Sequence, residues 1–359
     1  MINVGVDLHK TQFTTCVRNK DGNSYFQYPT TADGYASFLR DVSVWQEDGN
    51  RVRAGVESTG NTRYFKQRLE ECGVEVIAIN TMKFKVVNES VKKTDKHDAA
   101  TIAEFLEKDM LPESRLCSQQ SEQLRRLLKV RTTLVRSIVV VKNQIHALLV
   151  GFGIEDEKAS LQSKRGRLRV QTSLVRAGIE LAVQPLFDTI GQLESNVKHI
   201  EDELEKLTES DSVVKLLQTI PGCGKIGAWT IRAYTDDISR FTTSKKYASY
   251  AGMAPWVQNS NERVRHGKIT KRGPVELRTA IVQVVMGMRR CQKVTGEWNL
   301  MRKYDLLKQH KGSGKSIIAT GRKIAVIIWH MLNKGETFNT GLMYNKKLEQ
   351  TTERMKMVV

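Results

Sequence analysis

The sequence predicts an α/β domain at the N-terminus, then a long helical region and a mainly helical C-terminal domain. Residues 2–8, 11–18 and 23–28 are short apolar or alternating runs separated by turn-like residues, which is typical of consecutive strands. Beyond residue 111, many apolar residues recur every three or four positions, as they do in helices. The change of period predicts at least two structurally different parts of the chain.

Turn and capping residues order the elements of the first 110 residues. Asp21-Gly22 is a strong hairpin signal, and Gly73 is a good C-terminal stop for a helix. A helix over 31–46 has Thr31 or Asp33 available as its N-cap. The other predicted elements are strands over 52–57 and 74–79 and helices over 61–72 and about 97–108. Three strands, helix, strand, helix, strand, helix is the element order of the ribonuclease H-like fold.

Composition excludes several classes of protein. The chain has 359 residues and 40% hydrophobic content, enough for two or three soluble domains. No apolar stretch approaches the roughly 20 residues of a membrane span, and the N-terminus enters a strand pattern rather than a signal peptide. Five scattered cysteines without paired spacing indicate reduced thiols in a cytoplasm and argue against structural zinc: Cys16, Cys72, Cys117, Cys223 and Cys291.

The net charge of +18 is unevenly distributed. Residues 1–110 hold 15 basic and 16 acidic residues, whereas the remaining 249 residues hold 42 basic and 23 acidic residues. A neutral domain is therefore followed by a strongly basic body. Such a body indicates a polyanionic partner, and nucleic acid is the default expectation.

Four acidic residues near the N-terminus are the most informative feature of the sequence. Asp7 and Glu57 each end a short apolar run that predicts a buried strand. Asp95 and Asp98 stand three apart at the start of a helical pattern, so they share one helix face. Ribonuclease H-like folds place acids at these positions. Because carboxylate oxygens bind Mg²⁺, and two such ions suit phosphodiester chemistry, these four acids predict a magnesium site.

Two long apolar seams follow in the middle of the chain. The first, broken only by Arg131, comprises Leu127, Leu134, Ile138, Val141, Ile145 and Leu148. The second comprises Leu186, Ile190, Leu193, Val197, Ile200, Leu204 and Leu207. Such 3–4 spacing predicts two long helices, which pack either as an antiparallel hairpin within one chain or as a coiled coil between subunits.

Two further segments could contact phosphates. Residues 163–169 combine one glycine with Lys164, Arg165, Arg167 and Arg169, either in an exposed turn or at a solvated helix end. Residues 220–224 read Ile-Pro-Gly-Cys-Gly, a helix-hairpin-helix pattern in which glycines let backbone N–H groups approach a phosphate. Lys225 follows this turn directly.

A polar segment ends the series of motifs. Residues 247–255 read Tyr-Ala-Ser-Tyr-Ala-Gly-Met-Ala-Pro, and Ser260 lies in an expected polar loop after them. Lys268, Lys271 and Arg272 follow in a Gly- and Lys/Arg-rich segment. A serine hydroxyl among cations is a candidate nucleophile toward a phosphodiester, because the cations stabilise the developing negative charge.

Together these motifs resemble the DEDD transposases of the bacterial insertion sequence 110 family. The resemblance rests on the four acids, the Ile-Pro-Gly-x-Gly turn, and the Tyr-x-Gly-Met-x-Pro…Ser…Gly-Lys-Ile-x-Lys-x-Gly…Leu-Arg block. It implies a RuvC-like DEDD domain over 1–110, a helical coiled-coil spacer over 111–213, a transposase domain over 214–340 and a basic tail over 341–359. It also implies a bacterial, cytoplasmic, nucleoid-associated protein.

The resemblance further implies a site-specific recombinase. Asp7, Glu57, Asp95 and Asp98 would bind Mg²⁺, and Ser260 would attack the scissile phosphate to form a covalent protein–DNA intermediate. A structured bridge RNA would pair with donor and target double-stranded DNA, and the protein would act as a dimer or tetramer. Family members often have Ser-Ser/Thr-Gly at the nucleophile, where this chain has Ser260-Asn261-Glu262, so Ser249 and Ser244 remain alternative candidates.

Two other readings of the acids need no serine. A structure-specific, Holliday-junction type of nuclease would use the metal site to activate water, and a nucleic-acid-binding scaffold would not cleave DNA at all. The intact set of four acids argues against the scaffold.

Overall fold

A computed structural model of the chain describes residues 1–47, 49–87, 94–155, 160–260 and 263–344. The chain divides into two compact units, Met1–Cys117 and Ser118–Val359.

The first unit is a mixed five-stranded sheet with helices. The sheet has the order β3-β2-β1-β4-β5. β1 pairs antiparallel with β2, and β2 with β3, whereas β1–β4 and β4–β5 are parallel. The elements are β1 (Ile2–Leu8), β2 (Gln12–Asn19), β3 (Gly22–Pro29), α1 (Ala32–Gln46), β4 (Val52–Glu57), α2 (Thr62–Glu70), β5 (Glu75–Ile79), α3 (Thr81–Val87) and α4 (Asp95–Glu107).

This sheet is compatible with the ribonuclease H-like fold that the element order predicts. Each predicted strand and helix of the unit is present, with Thr31 as the N-cap of α1. Two details differ from the sequence prediction. Helix α3 was not predicted, and α4 begins at Asp95 rather than near residue 97, because Thr94 caps it through the His97 amide.

Aromatic side chains fill the core on the α1 face of the sheet. Phe13 of β2 lies 5.3 Å from the ring centroids of Tyr28, Tyr35 and Phe38 and 5.6 Å from that of Phe65. Burial of these rings fixes α1 and α2 on one face of the sheet.

Two glycines bring α4 onto the other face. Gly5 of β1 and Gly55 of β4 are register partners in the parallel pair. A Cβ added at Gly5 would overlap the α4 backbone at Ala99 and Ala103. The missing side chain at Gly5 therefore lets α4 lie directly against β1, next to the strand end that carries Asp7.

The second unit is mainly helical. It contains α5 (Gln119–Gly151), α6 (Lys164–Arg176), α7 (Glu180–Thr208), α8 (Ser212–Gln218), α9 (Lys225–Thr235), α10 (Ser244–Tyr250), β6 (Pro255–Ser260), β7 (Arg263–Ile269), α11 (Val275–Arg290), α12 (Gln292–Thr295), α13 (Asn299–Lys311) and α14 (Ser313–Lys334).

The two apolar seams form one antiparallel helical hairpin within the chain. The start of α5 packs with the end of α7 through Leu124, Leu128 and Leu204. The end of α5 packs with the start of α7 through Ile145 and Ile190. Arg131 interrupts the first seam because its Nε donates to Glu201 of α7 at 2.7 Å.

Helix α5 is long and apolar enough for a membrane span by length and composition alone. No other described helix passes this test. The expectation that no stretch approaches a membrane span is therefore wrong for α5. This helix packs along α7 and places Arg131 and Lys142 against acidic residues of that helix.

The C-terminal core joins the hairpin base to α8–α11, α13 and α14. The Ile-Pro-Gly-Cys-Gly turn connects α8 to α9, and Gly222 has a φ of 86°, a region that favours glycine. A Cβ at Gly222 would overlap Gly287 and Met288 of α11, so this glycine serves close helix packing. Around Gly224, in contrast, the space is open.

Candidate active site

The sheet brings Asp7 and Glu57 together. Asp7 is the penultimate residue of β1, and Glu57 is the last residue of β4. The strands are parallel neighbours with Val6 opposite Val56, so both carboxyl groups follow at the same end of the sheet. Asp7 is buried and Glu57 is half-buried.

Helix α4 adds the other two acids from its first turn. Thr94 caps the helix, accepting from the His97 amide on its hydroxyl at 3.2 Å and from the Asp98 amide on its carbonyl at 2.9 Å. Asp95 and Asp98 are thereby fixed at the end of α4 that lies beside the carboxyl end of β1. Gly5 allows this approach.

The pKa shifts show that the acids form one electrostatic cluster. The pKa of Asp7 is raised by burial and, against a lowering effect of His9, by the charges of Asp95 and Asp98. The pKa of Glu57 is raised by burial and by the charges of Asp7 and Asp98, while Lys85 and His9 oppose the shift. Repulsion among these carboxylates favours a bound cation.

His9, which directly follows β1, is a member of this site that was not singled out from the sequence. Its Nε2 lies 3.0 Å from Asp7 Oδ2 and 3.7 Å from Asp95 Oδ1. Ligand atoms of these three residues all lie within 4.8 Å of one another. The signal was its position two residues after Asp7, which places it just beyond the strand end.

This donor set fits a divalent metal. Oxygen ligands from several carboxylates suit Mg²⁺ or Mn²⁺, and an imidazole nitrogen is accepted more readily by transition metals than by Mg²⁺. The residues that could hold the ion are Asp7, His9, Glu57, Asp95 and Asp98.

Ser260 ends β6, and its backbone pairs with Arg263 of β7 across residues 261–262. The expectation of a polar loop here was wrong, because the two polar stretches satisfy their backbone hydrogen bonds by pairing as a β-hairpin. The Ser260 side chain and residues 261–262 lie outside the described part of the chain. Ser244 and Ser249 lie on α10, where Ser249 is exposed and Ser244 is half-buried.

The glycine-containing motifs hold the base of this hairpin. Gly252 and Gly273 have φ values of 69° and 110°. A Cβ at Gly273 would overlap the Tyr250 carbonyl, and one at Gly252 would lie 2.7 Å from the Arg272 carbonyl oxygen. The Thr270 amide donates to the Ala254 carbonyl at 2.9 Å. These contacts explain the spacing of the block and fix where the Ser260 strand emerges.

Two of the basic residues singled out in the sequence pair with acids of α7, and most of the set is exposed. Arg167 donates two hydrogen bonds to Glu194 of α7, at 2.7 and 2.6 Å, and Lys225 pairs with Glu205 at 2.5 Å. Lys225 is exposed nevertheless, as are Lys164, Arg165, Arg169, Lys268, Lys271 and Arg272. Residues 164–169 form the first turns of α6 rather than a loop, with Ser163 as the N-cap.

A second basic surface, on α13 and α14, was not singled out from the sequence. Residues 299–334 contain eight Lys and Arg residues and one acid, Asp305, which pairs with Arg289 at 3.0 Å. All eight are exposed except the half-buried Arg322: Arg302, Lys303, Lys308, Lys311, Lys315, Arg322, Lys323 and Lys334. Their scattered spacing along two helices concealed this α13–α14 basic surface.

Comparison with known proteins finds two matching family models, one in each part of the chain. A family model of the DEDD transposases of IS110, described as "Transposase", matches residues 4–154. A second, described as "Transposase IS116/IS110/IS902 family", matches residues 214–298. The four acids fall in the first match and Ser260 falls in the second.

Relatives align over nearly the whole chain. The transposase for insertion sequence element IS1111A of Coxiella burnetii is 25% identical over 348 residues, covering 94% of this chain and 91% of that protein. The transposase for IS1328 of Yersinia enterocolitica is 24% identical, covering 94% of this chain and 98% of that protein. The pilin gene-inverting protein of Moraxella bovis is 23% identical, covering 94% and 97%.

The acids clustered at the ends of β1 and β4 and the two family models define the class of protein, a DNA transposase. Within that class, the chain belongs to the IS110 family.

Proposed function

We propose that this transposase is a site-specific recombinase that cuts and rejoins donor and target DNA through a phosphoserine at Ser260. The observation that supports it most is the coexistence of the clustered acids in one unit with a serine at the end of β6 in the other. Acids alone suffice for hydrolysis, whereas exchange requires that the energy of the cleaved phosphodiester be kept.

The acids would hold Mg²⁺, which polarises the phosphate and stabilises negative charge on the leaving oxygen when it is bound. Asp7, Glu57, Asp95 and Asp98 supply its oxygen ligands. Gly5 and the Thr94 cap position the start of α4, with Asp95 and Asp98, beside the strand ends that carry Asp7 and Glu57.

In the serine step, each phosphate ester bond that breaks is replaced by a new one. The Ser260 hydroxyl oxygen bonds to phosphorus as the bond between phosphorus and the 3′ oxygen breaks, and the freed 3′ oxygen takes a proton. A 3′ hydroxyl of the other duplex then attacks the same phosphorus, and the bond to Ser260 breaks. Water is not the acceptor, so strands are exchanged rather than lost.

The nucleic-acid partners in this proposal are donor DNA, target DNA and a bridge RNA that selects both by base pairing, as the family resemblance implies. A protein in such a complex reads backbone and shape. Lys164, Arg165, Arg169, Lys268, Lys271 and Arg272 are candidate phosphate contacts, and the α13–α14 basic surface extends this set. Arg167 and Lys225 would have to exchange an intramolecular carboxylate for a phosphate.

Joining two duplexes requires several active sites, so we propose a homodimer or homotetramer. The proposed location is the bacterial cytoplasm, on the nucleoid, where the DNA substrate lies.

The alternative enzyme is a RuvC-like nuclease acting on Holliday junctions or other DNA structures through metal-activated water. The clustered acids by themselves favour this nuclease and the recombinase equally. Replacing the serine separates the two: Ser260→Ala abolishes recombination under the serine proposal but leaves junction cleavage by a nuclease intact. Recombination at the wild-type level by Ser260→Ala would contradict the serine proposal. Recombination at that level by Asp7→Asn would contradict the metal site.

A further inference from the structure

A cleft of about 560 Å³ opens beside the acids of the first unit. Its floor is the sheet face that carries α4, and its wall is the start of α4. The residues that line it are Thr14, Tyr25, Phe26, Gln27, Thr94, Asp95 and Lys96.

The strand register makes this cleft a continuation of the acidic site. Asp7 of β1 is opposite Thr14 of β2, and Thr14 is opposite Gln27 of the edge strand β3. Opposite residues in antiparallel pairs point to the same face. Asp7, Thr14 and Gln27 therefore form a row that runs from the acids into the cleft, and Asp95 borders both.

The lining has the chemistry of a nucleotide site. Tyr25 is 41% exposed and offers a ring for stacking. The Lys96 ammonium lies 5.9 Å from the centroid of that ring and is exposed. Gln27 offers an amide that can both donate and accept, and Thr94 offers a hydroxyl. Aromatic stacking, one cation and amide groups together suit an unpaired base and its backbone.

The charges also set an orientation. The Asp95 end of the cleft adjoins the carboxylates, which repel a phosphate unless a cation lies between them. The opposite end has Tyr25 on the exposed edge strand β3, with the Lys96 ammonium of α4 facing its ring. A nucleotide whose scissile phosphate is held at the acids can therefore place the neighbouring base against Tyr25.

We infer that this cleft binds one unpaired nucleotide next to the scissile phosphate and so positions that phosphate over the acids. The inference rests on the proposed strand-cleaving function and names a substrate subsite of it. A cavity of this volume lies within the range of small-ligand pockets, and it suits a single nucleotide rather than a duplex.

The test is photocrosslinking of the full-length protein, with Ca²⁺ in place of Mg²⁺ so that the acids keep a cation, to a twelve-nucleotide oligothymidine with one 5-iodouracil. We expect a crosslinked peptide containing Tyr25 and about tenfold weaker crosslinking in Tyr25→Leu. A matching oligouridine decides whether DNA or RNA is the preferred source of the nucleotide. Lys96→Gln and Gln27→Ala should weaken crosslinking at Tyr25 as well.

Matched controls come from the same unit. Tyr64→Leu removes a tyrosine that is 48% exposed but lies against Tyr35 on the other face of the sheet. Lys20→Gln removes an exposed lysine of the turn between β2 and β3. Crosslinking that maps away from the cleft, or cleft variants that bind like these controls, would overturn the inference.

The proposed function fails by a different result. If Tyr25 crosslinks but no covalent adduct ever forms at Ser260, the cleft stands and the serine chemistry falls. If the adduct forms in wild type and equally in Tyr25→Leu, with no crosslink at Tyr25, only the cleft is wrong.

Discussion

Asp7 shows most clearly how a single residue links fold and function. It is 8% exposed, yet it shares its surroundings with three other carboxyl groups and one histidine. Burying like charges together costs free energy, and here the fold bears that cost where a cation would relieve it. His9 offsets part of the repulsion through its 3.0 Å contact with Asp7.

The raised pKa of Asp7 predicts a pH-dependent stability. The folded protein retains a proton at Asp7 over a pH range in which the unfolded chain has lost it. The free energy of unfolding therefore falls as pH rises from the ordinary carboxyl pKa through the raised one. In EDTA, Asp7→Asn should flatten this fall and raise stability at pH 7, as urea unfolding at several pH values would show.

Bound metal should make wild type more stable than Asp7→Asn, the reverse of the order expected in EDTA. Mg²⁺ at about 100 times its dissociation constant would stabilise wild type by about 2.7 kcal/mol. Asp7→Asn should lose most of that gain, because a ligand is missing. An equal rise in melting temperature for both proteins would show that the ion binds elsewhere.

At the scale of elements, the contact between α4 and β1 depends on glycine. Gly5→Ala would force a methyl group into the α4 backbone, which cannot move aside as a side chain can. We expect a loss of about 3 kcal/mol in unfolding free energy and weaker metal binding. Gly55→Ala should cost less, because its Cβ meets the side chains of Leu111 and Ile102. Gly60→Ala, in open space, is the control.

A partly exposed ion pair between Arg167 and Glu194 joins α6 to helix α7 of the helical hairpin. The pKa of Glu194 is lowered chiefly by its hydrogen bond with Arg167. Its stabilising contribution is present above the ordinary carboxyl pKa and is lost as pH falls through the lowered one. Glu194→Gln should therefore reduce stability by about 1 kcal/mol at pH 7 and leave the acid limb flatter. A double-mutant cycle with Arg167→Ala measures the pair itself.

Sequence periodicity predicted the strands, the long helices and the four acids because each is a local pattern. It could not decide whether the apolar seams pair within one chain or between subunits, because the same 3–4 spacing occurs in both arrangements. The β6–β7 hairpin escaped prediction because its polar residues hide the strand period. His9 escaped because its role depends on the position of α4, a contact between residues distant in the sequence.

At the scale of the whole molecule, the net positive charge comes from the residues after 110, which hold 42 basic and 23 acidic residues. We therefore expect nucleic-acid binding whose affinity falls with salt, through exposed cations on β7, on the segment after it, and on α13 and α14. Lys323→Gln should weaken duplex binding uniformly across sequences and reduce the slope of log affinity against log salt by about 1. Arg167→Ala should lower the free energy of unfolding and leave the salt slope nearly unchanged, because the Arg167 guanidinium pairs with Glu194.

The central claim is a covalent bond between Ser260 and DNA. The reaction contains the purified protein, DNA bearing the element's junctions, and a candidate bridge RNA transcribed from the DNA that flanks the gene. It is stopped by denaturation while in progress, and the protein is digested to peptides. Mass spectrometry should then find a nucleotide on the peptide containing Ser260, absent in Ser260→Ala and in Asp7→Asn. Recombined DNA without any such adduct, or an adduct on Ser244 or Ser249, would contradict the account.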